Sequence, residues 1–276
     1  MSDYQGDAGL QRLLTEAGLS IGVAAVRDIV AGVIAAPEAV DPDAWIALIA
    51  PDADAELIDQ LGALKASLLE AAPQHFPAGP APRERLSDLR GELKRRQLDG
   101  FIVPRTDEHQ GEYVPLKAER LRWLTGFAGS AGVAVVLGEA AAVFVDGRYT
   151  LQVKDEVHED LFAPCHIAEK TPYDWIAENL PSGATLGYDP WLLTEASVKR
   201  YRQAAEKAGG GLVAVDDNPV DTVWENQPAA PMGVVVPHDM DYAGKPAEDK
   251  RKEIGEALAK DGIEAAVLTM PDSIAW

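Results

Sequence analysis

Apolar residues recur at helical spacing through the first part of the chain. Between Leu10 and Val33 they fall every three or four positions, which is typical of helices with one buried face. The Asp-Pro-Asp at 41–43 and the Pro-Asp at 51–52 are typical of helix starts, because an aspartate side chain can accept hydrogen bonds from exposed amides. The pattern predicts three or four helices that form a small all-α unit over residues 1–72.

The pattern changes after a proline-rich stretch at residues 73–84, which is predicted to be a linker. Over residues 85–225, predicted helices alternate with short apolar runs, as in an α/β domain. The runs Val133–Leu137 and Ala141–Val145 flank a Gly-Glu pair, and this spacing predicts an antiparallel hairpin. Because helices separate the other strands, the predicted sheet is mixed. The remaining predicted elements are helices at Leu86–Leu93, Tyr173–Leu180 and Glu195–Lys207, and strands at Phe101–Val103, Thr185–Tyr188 and Leu212–Val215.

Prolines recur again at residues 226–245, where a second linker is predicted. Beyond this linker, Glu248–Lys260 has the pattern of a helix and Ala265–Thr269 that of a strand. Residues 246–276 are therefore predicted to be the start of a second α/β domain. With one helix and one strand before Trp276, this domain is expected to be cut short.

Charge and cysteine content exclude several classes of partner. A formal net charge of −20 repels phosphate backbones and anionic lipids, so neither nucleic acid nor a membrane is an expected partner. Cys165 is the one cysteine, so no disulfide can form within the chain, as is typical of proteins from reducing compartments. The first residues lack the basic start and apolar run of a signal peptide. A cytoplasmic location is predicted.

The glycine-rich run Gly126–Gly132 is the most conspicuous candidate motif. It lacks the Gly-Lys-Ser/Thr ending of a phosphate loop, and it leads into a predicted strand rather than a helix. It is not a nucleophile elbow around Ser130 either, because Ala128 occupies the first glycine position. The glycines are predicted to serve turning and close packing of the backbone.

Candidate metal and carboxylate motifs are incomplete as well. His158-Glu159 begins like the zinc motif His-Glu-x-x-His, but Phe162 occupies the position of the second histidine. Cys165-His166 lies near three acidic residues and is predicted to belong to a charged surface rather than to a metal site. The Asp-Asp-Asn run at 216–218 is predicted to cap the helix that contains Val220, Val223 and Trp224. Neither a catalytic residue nor a metal ligand is therefore predicted within this chain.

Six segments, each a weak signal alone, occur together in a characteristic order. They are Pro104–Tyr113, Arg120–Gly132, Val145–Tyr149, Gly187–Trp191, Asn218–Trp224 and Asp272–Trp276. In this order and spacing they resemble the amino-terminal region of aminopeptidase P, in the creatinase and prolidase superfamily. The resemblance covers about Arg85 to Trp276. It does not extend to the helical sequence before Arg85.

The resemblance implies a creatinase N-terminal-like domain with a mixed β-sheet flanked by helices, followed by the start of a related second domain. In the family, a "pita-bread" catalytic domain follows and holds two metal ions, usually Mn²⁺, so their ligands are expected outside this chain. The implied activity is hydrolysis of the bond between an amino-terminal residue and proline. A peptide with proline in second position is the implied substrate, a homodimer is the implied assembly, and the chain alone is expected to be inactive.

Arg148 is the one residue to which the resemblance gives a substrate contact, because the family has an arginine in its Asp-Gly-Arg-Tyr motif. The planar donors of a guanidinium suit a peptide carbonyl or a carboxylate. The alternative is a surface ion pair with Asp146 or Glu156. Two other functions stay open: a non-catalytic binding or assembly scaffold with this fold, and a prolidase-like or creatinase-like relative with different chemistry.

Overall fold

The computed structural model describes residues 4–36, 42–71, 79–233, 235 and 237–276. These residues divide into two compact units. The helical unit comprises the described residues of Met1–Glu70, His109–Gly111 and Pro231–Trp276, and the sheet unit comprises those of Ala71–Glu108 and Glu112–Ala230. Residues 73–78 of the predicted linker at 73–84 lie outside the described residues, and the domain boundaries drawn from the sequence stay predictions.

The amino-terminal part of the helical unit is all-α, as predicted. It contains α1 (Asp7–Glu16), α2 (Val23–Ala35), a 3₁₀ helix (Ala44–Leu48) and α3 (Ala55–Ala71). Apolar side chains at helical spacing, such as Leu10 and Leu61, are fully buried in a core of their own. Helix α3 begins a few residues after the predicted start at 51–52, because the Asp54 carboxylate accepts a hydrogen bond from the Leu57 amide at 2.9 Å.

Helices and strands alternate along the chain in the sheet unit. The elements are α4 (Pro82–Arg95), β1 (Gly100–Pro104), α5 (Arg120–Thr125), β2 (Val133–Leu137), β3 (Ala141–Val145), α6 (Gln152–Glu156), β4 (Ala163–His166), α7 (Pro172–Asn179), β5 (Thr185–Tyr188), α8 (Glu195–Lys207), β6 (Gly211–Ala214) and α9 (Pro219–Val223). A short 3₁₀ helix, Leu116–Ala118, precedes α5. The strands form one sheet in the order β4-β3-β2-β1-β5-β6. Strand β2 pairs antiparallel with β1 and β3, and the other neighbours pair in parallel, which confirms the mixed α/β fold.

Both faces of this sheet are covered by helices. Successive side chains of a strand point to opposite faces, so Phe101 and Val103 enter one core and Ile102 enters the other. The first core contains buried residues of α4 and α5, together with Val220 of α9 and Trp224. The second core contains buried residues of α7 and α8. The sheet is therefore the middle of three layers. Because helices cover both of its faces, the ends of the strands are the part of the sheet that is available for a site.

The carboxyl-terminal part of the helical unit contains α10 (Met240–Ala243), α11 (Ala247–Lys260) and α12 (Pro271–Ala275). The predicted helix at Glu248–Lys260 is confirmed. The predicted strand at Ala265–Thr269 is wrong, because these residues form no regular element in the structure. A β-strand needs a hydrogen-bonded neighbour, and the strand pairings of the described chain all lie in the sheet unit.

One strand of the sheet was not predicted. Strand β4 places Cys165 and His166 half-buried at the edge of the sheet, where a fully charged surface was expected. Its Ala-Pro-Cys-His sequence has too few apolar or β-branched residues to give a strand signal. Pairing with β3 makes it a strand. None of the described helices is both long and apolar enough to span a bilayer.

Candidate functional site

Five of the six strands run in the same direction, so their carboxyl ends meet at one edge of the sheet. We name this region the carboxyl edge. It comprises the parts of the sheet unit that leave β1, β3, β4 and β5 and the segment that enters β2, at residues 105–108 with 112–119, 146–151, 167–171, 189–194 and 126–132. Four of the six family-like segments reach it. Ligands of open α/β sheets bind outside the carboxyl ends of the strands, which makes this edge the candidate site.

Arg148 lies at the carboxyl edge directly after β3. Its Nη2 donates to Asp146 Oδ2 at 2.8 Å, and its Nε lies 3.1 Å from Oδ1. The Arg148 backbone amide also donates to Asp146 Oδ1 at 2.9 Å. These hydrogen bonds raise the pKa of Arg148 and lower the pKa of Asp146. The ion pair with Asp146 is therefore formed, yet 62% of the arginine side chain stays exposed and accessible to a ligand.

The aromatic ring of the next residue, Tyr149, packs against the guanidinium group of Arg148. Its ring lies 5.0 Å from the guanidinium carbon, a cation–π distance. The Tyr149 hydroxyl shares a 2.6 Å hydrogen bond with Ser130 Oγ, and this bond lowers the pKa of Tyr149. Phe127 meets the Tyr149 ring edge-on at 5.6 Å between centroids. Ser130 is thus part of the packing around the arginine, in agreement with its predicted structural role.

Glycine is required within the run that enters β2. A Cβ atom at Gly129 would lie 2.2 Å from the Phe127 ring, and one at Gly126 would lie 2.8 Å from the Glu156 carbonyl oxygen. Gly126 also ends α5 in the left-handed region, with φ of 89°. The glycines therefore permit close packing beneath Tyr149, as predicted.

The segment after β1 is held by an arginine whose side chain is only 10% exposed. Arg105 Nη1 donates to the Glu112 carbonyl oxygen at 2.7 Å, and Nη2 lies 3.4 Å from Glu119 Oε1. Burial raises the pKa of the Glu119 carboxyl group. The Glu112 charge contributes to the raised pKa of Arg148, so this segment lies within electrostatic reach of that guanidinium.

The segment after β5 is a rigid turn. Asp189 is buried, and its two carboxylate oxygens accept hydrogen bonds from the Trp191 amide and from Asn218 Nδ2, both at 2.9 Å. Thr106 Oγ1 donates to the Leu192 carbonyl oxygen at 2.8 Å and ties this turn to the segment after β1. No functional role was predicted for Trp191, and the turn that carries it was not predicted either.

Other predicted motifs stay away from this arrangement. His158 and Glu159 are exposed while Phe162 is buried, so the broken zinc motif does not converge. Asn218, rather than the aspartates before it, caps α9 by accepting a hydrogen bond from the Val220 amide at 3.0 Å. Among the described residues, no group of three or more His, Cys, Asp or Glu side chains could hold a metal ion.

Comparison with known protein families shows to which family this chain belongs. Residues 85–220 and residues 226–276 each match a family described as the Creatinase/Prolidase N-terminal domain. Together the two matches cover more than half of the chain. This chain belongs to the creatinase/prolidase family. The resemblance stated from the six segments is thereby confirmed.

Relatives in this family carry aminopeptidase names. The Probable Xaa-Pro aminopeptidase P of Coccidioides posadasii (strain C735) is 35% identical over 215 residues, covering 76% of this chain and 33% of the relative. That of Talaromyces marneffei (strain ATCC 18224 / CBS 334.59 / QM 7333) is 36% identical over 196 residues, covering 70% of this chain and 30% of the relative. The chain therefore spans about a third of the length of these relatives.

A solved structure of the family has the same fold. The X-prolyl aminopeptidase from Caenorhabditis elegans, described as a cytosolic enzyme with a di-nuclear active site, superposes with a TM-score of 0.64 at 26% identity. The match covers 72% of this chain and 34% of that chain. The resemblance to the amino-terminal region of aminopeptidase P thus holds in three dimensions as well as in sequence.

Proposed function

We propose that this chain is the amino-terminal part of a metal-dependent Xaa-Pro aminopeptidase. The whole protein would hydrolyse the bond between an amino-terminal residue and proline. The observation that carries this proposal is the match of residues 85–276 to the family, joined to relatives named Xaa-Pro aminopeptidase P. The described residues of this chain do not form a metal site, so two metal ions, Mn²⁺ in our proposal, are assigned to residues outside it.

The contribution that we assign to this chain is a substrate contact by Arg148. Asp146 engages Nε and Nη2, and within the described residues no partner is recorded for Nη1. The Nη1 donors are therefore available for a peptide carbonyl. Because Asp146 and the Tyr149 ring already order the side chain, a substrate would not have to restrict it on binding.

The activity is tested on the whole natural protein that contains this chain. With the peptides Ala-Pro-Ala and Ala-Ala-Ala, we expect hydrolysis of the first only, because the proposed specificity requires proline in second position. Dialysis against a chelator should lower the rate by at least about tenfold, and added Mn²⁺ should restore it, because the metal ions supply the bound hydroxide nucleophile.

Three outcomes would contradict this proposal in different ways. Turnover by residues 1–276 alone with Mn²⁺ would place the metal centre within this chain. Full activity after chelation would exclude metal dependence. Absence of hydrolysis by the whole metal-loaded protein would favour the non-catalytic scaffold.

Replacing Arg148 by alanine in the whole protein is expected to lower kcat/KM for Ala-Pro-Ala about tenfold, through loss of a charge-assisted hydrogen bond. Metal content should stay unchanged. Arg148→Lys keeps the charge but not the planar donors and should recover only part of the activity. The matched control is Arg83→Ala, since Arg83 forms an exposed ion pair with Asp160. Steady-state kinetics with metal analysis measure both effects, and unchanged kinetics for Arg148→Ala would refute the contact.

The homodimer implied by the resemblance and the cytoplasmic location predicted from the sequence stay predictions for this protein. The location is supported by the Caenorhabditis elegans relative, which is described as cytosolic. The single cysteine is consistent with the same compartment.

A further inference from the structure

Large apolar side chains are exposed along the carboxyl edge. The sheet unit has six exposed large hydrophobic residues among those described, and five of them lie in segments that follow a strand end: Tyr113, Leu116, Leu151, Ile167 and Trp191. Single exposed apolar residues are ordinary on a protein surface. Several that lie in the segments of one edge, which also carries the exposed Arg148 cation, make this edge a candidate binding surface.

The backbone around Trp191 is held by hydrogen bonds, although the residue itself is largely exposed. The indole is 72% exposed. Its backbone amide is bonded to the buried Asp189 carboxylate, and the carbonyl of the following residue is bonded to Thr106 Oγ1. An aromatic side chain on such a fixed turn loses little conformational entropy when a ligand covers it.

Tyr113 is presented in a similar way. Its side chain is 91% exposed. The preceding carbonyl, that of Glu112, accepts a 2.7 Å hydrogen bond from Arg105. The segments that carry Tyr113 and Trp191 follow the neighbouring strands β1 and β5 and are tied together by the hydrogen bond between Thr106 and Leu192. Two exposed aromatic side chains therefore extend from adjacent segments of the same edge.

We propose that Trp191 and Tyr113 form the apolar part of a docking surface for a proline-containing peptide, with Arg148 as its polar part. This inference rests on the proposed function and deepens it by naming the residues that would recognise proline. Proline-rich segments adopt an extended helix without internal hydrogen bonds, and they dock against exposed aromatic rings. Their free carbonyl groups are acceptors for the guanidinium donors of Arg148. Exposed aromatic rings on the same edge as the Arg148 cation thus match this ligand.

Tryptophan fluorescence can test the proposal on the chain itself. Four of its six tryptophans are buried, namely Trp45, Trp123, Trp175 and Trp224. The exposed ones are Trp191 and Trp276. In a Trp276→Phe background, quenching by acrylamide therefore reports on Trp191. The probe is the peptide Ala-Pro-Pro-Ala, and Ala-Ala-Ala-Ala serves as its matched control.

We expect Ala-Pro-Pro-Ala to protect Trp191 from the quencher in a saturable manner and Ala-Ala-Ala-Ala to leave quenching unchanged. Tyr113→Ala and Arg148→Ala should each weaken the apparent affinity at least about threefold, because each removes one contact to the peptide. Leu48→Ala, which alters an exposed apolar residue outside the carboxyl edge, should have no effect.

Equal quenching with both peptides would overturn the docking surface. Protection that grows with protein concentration in the absence of peptide would overturn it too, because a second copy would then cover the edge. Failure of the proposed function gives a different result, in which Trp191 is protected but the whole protein does not hydrolyse Ala-Pro-Ala. Hydrolysis that is unaffected by Trp191→Ala and Tyr113→Ala, together with no protection, would refute the docking surface alone.

Discussion

Replacing Trp224 by alanine is expected to lower the free energy of unfolding of the sheet unit by about 3–5 kcal/mol, the usual cost of removing a large buried aromatic side chain. Trp224 follows α9 and is only 2% exposed. Its ring stacks on that of Trp123, with centroids 5.3 Å apart and planes at 17°. Both rings belong to the core between the sheet and α4, α5 and α9. The substitution therefore leaves a cavity where the last helix of the unit packs.

The measurement is urea denaturation combined with hydrogen exchange of the β1 and β2 amides, which reports on the sheet unit rather than on the helical unit. Trp191→Ala is the matched control, because it removes the same side chain from an exposed position. That control should change stability by no more than about 0.5 kcal/mol. A loss below about 1 kcal/mol for Trp224→Ala would show that α9 is not anchored by this ring.

Replacing Arg120 by alanine is expected to cost about 3 kcal/mol, because it leaves a carboxylate without its partner. Both oxygens of Asp221 accept hydrogen bonds of 2.7 Å from Arg120. Gln227 Nε2 adds bonds to Asp221 Oδ1 at 2.8 Å and to the Lys117 carbonyl at 2.9 Å. The Arg120 side chain is 10% exposed and that of Asp221 30%, so water screens this pair less than it screens a fully exposed pair. The pair connects α5 to α9.

A double-mutant cycle separates this interaction from the loss of packing. The coupling energy between Arg120→Ala and Asp221→Ala should exceed about 1 kcal/mol in denaturant unfolding. The control cycle uses Arg83 and Asp160, whose side chains are mostly exposed, and should give a coupling of about 0–1 kcal/mol. Equal coupling in the two cycles would mean that burial does not strengthen the pair between α5 and α9.

The elements that were predicted with the right boundaries carry strong local signals. The predicted hairpin is observed as β2 and β3, and α8 spans the same residues, Glu195–Lys207, as predicted. The helix has Thr194 as its cap, with Oγ1 accepting from the Ser197 amide at 3.3 Å. Periodicity and capping depend on residues a few positions apart, so they can be predicted from a single sequence.

Elements whose state depends on distant residues were missed or wrong. Strand β4 has a weak local signal and exists through pairing with β3. Conversely, Ala265–Thr269 has the apolar pattern of a strand but forms no ladder in the described chain. A strand forms only by pairing with another strand, and the sequence of the segment itself does not show whether such a neighbour is available.

The features of the candidate site likewise fall into those that depend on near neighbours in the chain and those that depend on distant residues. Arg148 was named from its Asp-Gly-Arg-Tyr motif, and the bond to Asp146 two residues away is local. Its proximity to the segment after β1, and the fixed exposure of Trp191, depend on contacts such as the one between Thr106 and Leu192, 86 residues apart.

The sequence by itself determined the family, the mixed α/β class, most helices and strands of the sheet unit, and Arg148 as the substrate-contact candidate. Only the tertiary structure decided that the segments after β1, β3 and β5 share one edge, and that Arg105 and Asp189 hold the backbone beside the exposed aromatic residues there. The physical reason is the separation along the chain between the residues that interact. Backbone preferences and side-chain periodicity act between near neighbours, whereas a surface is made by strands that pair across long intervals of chain.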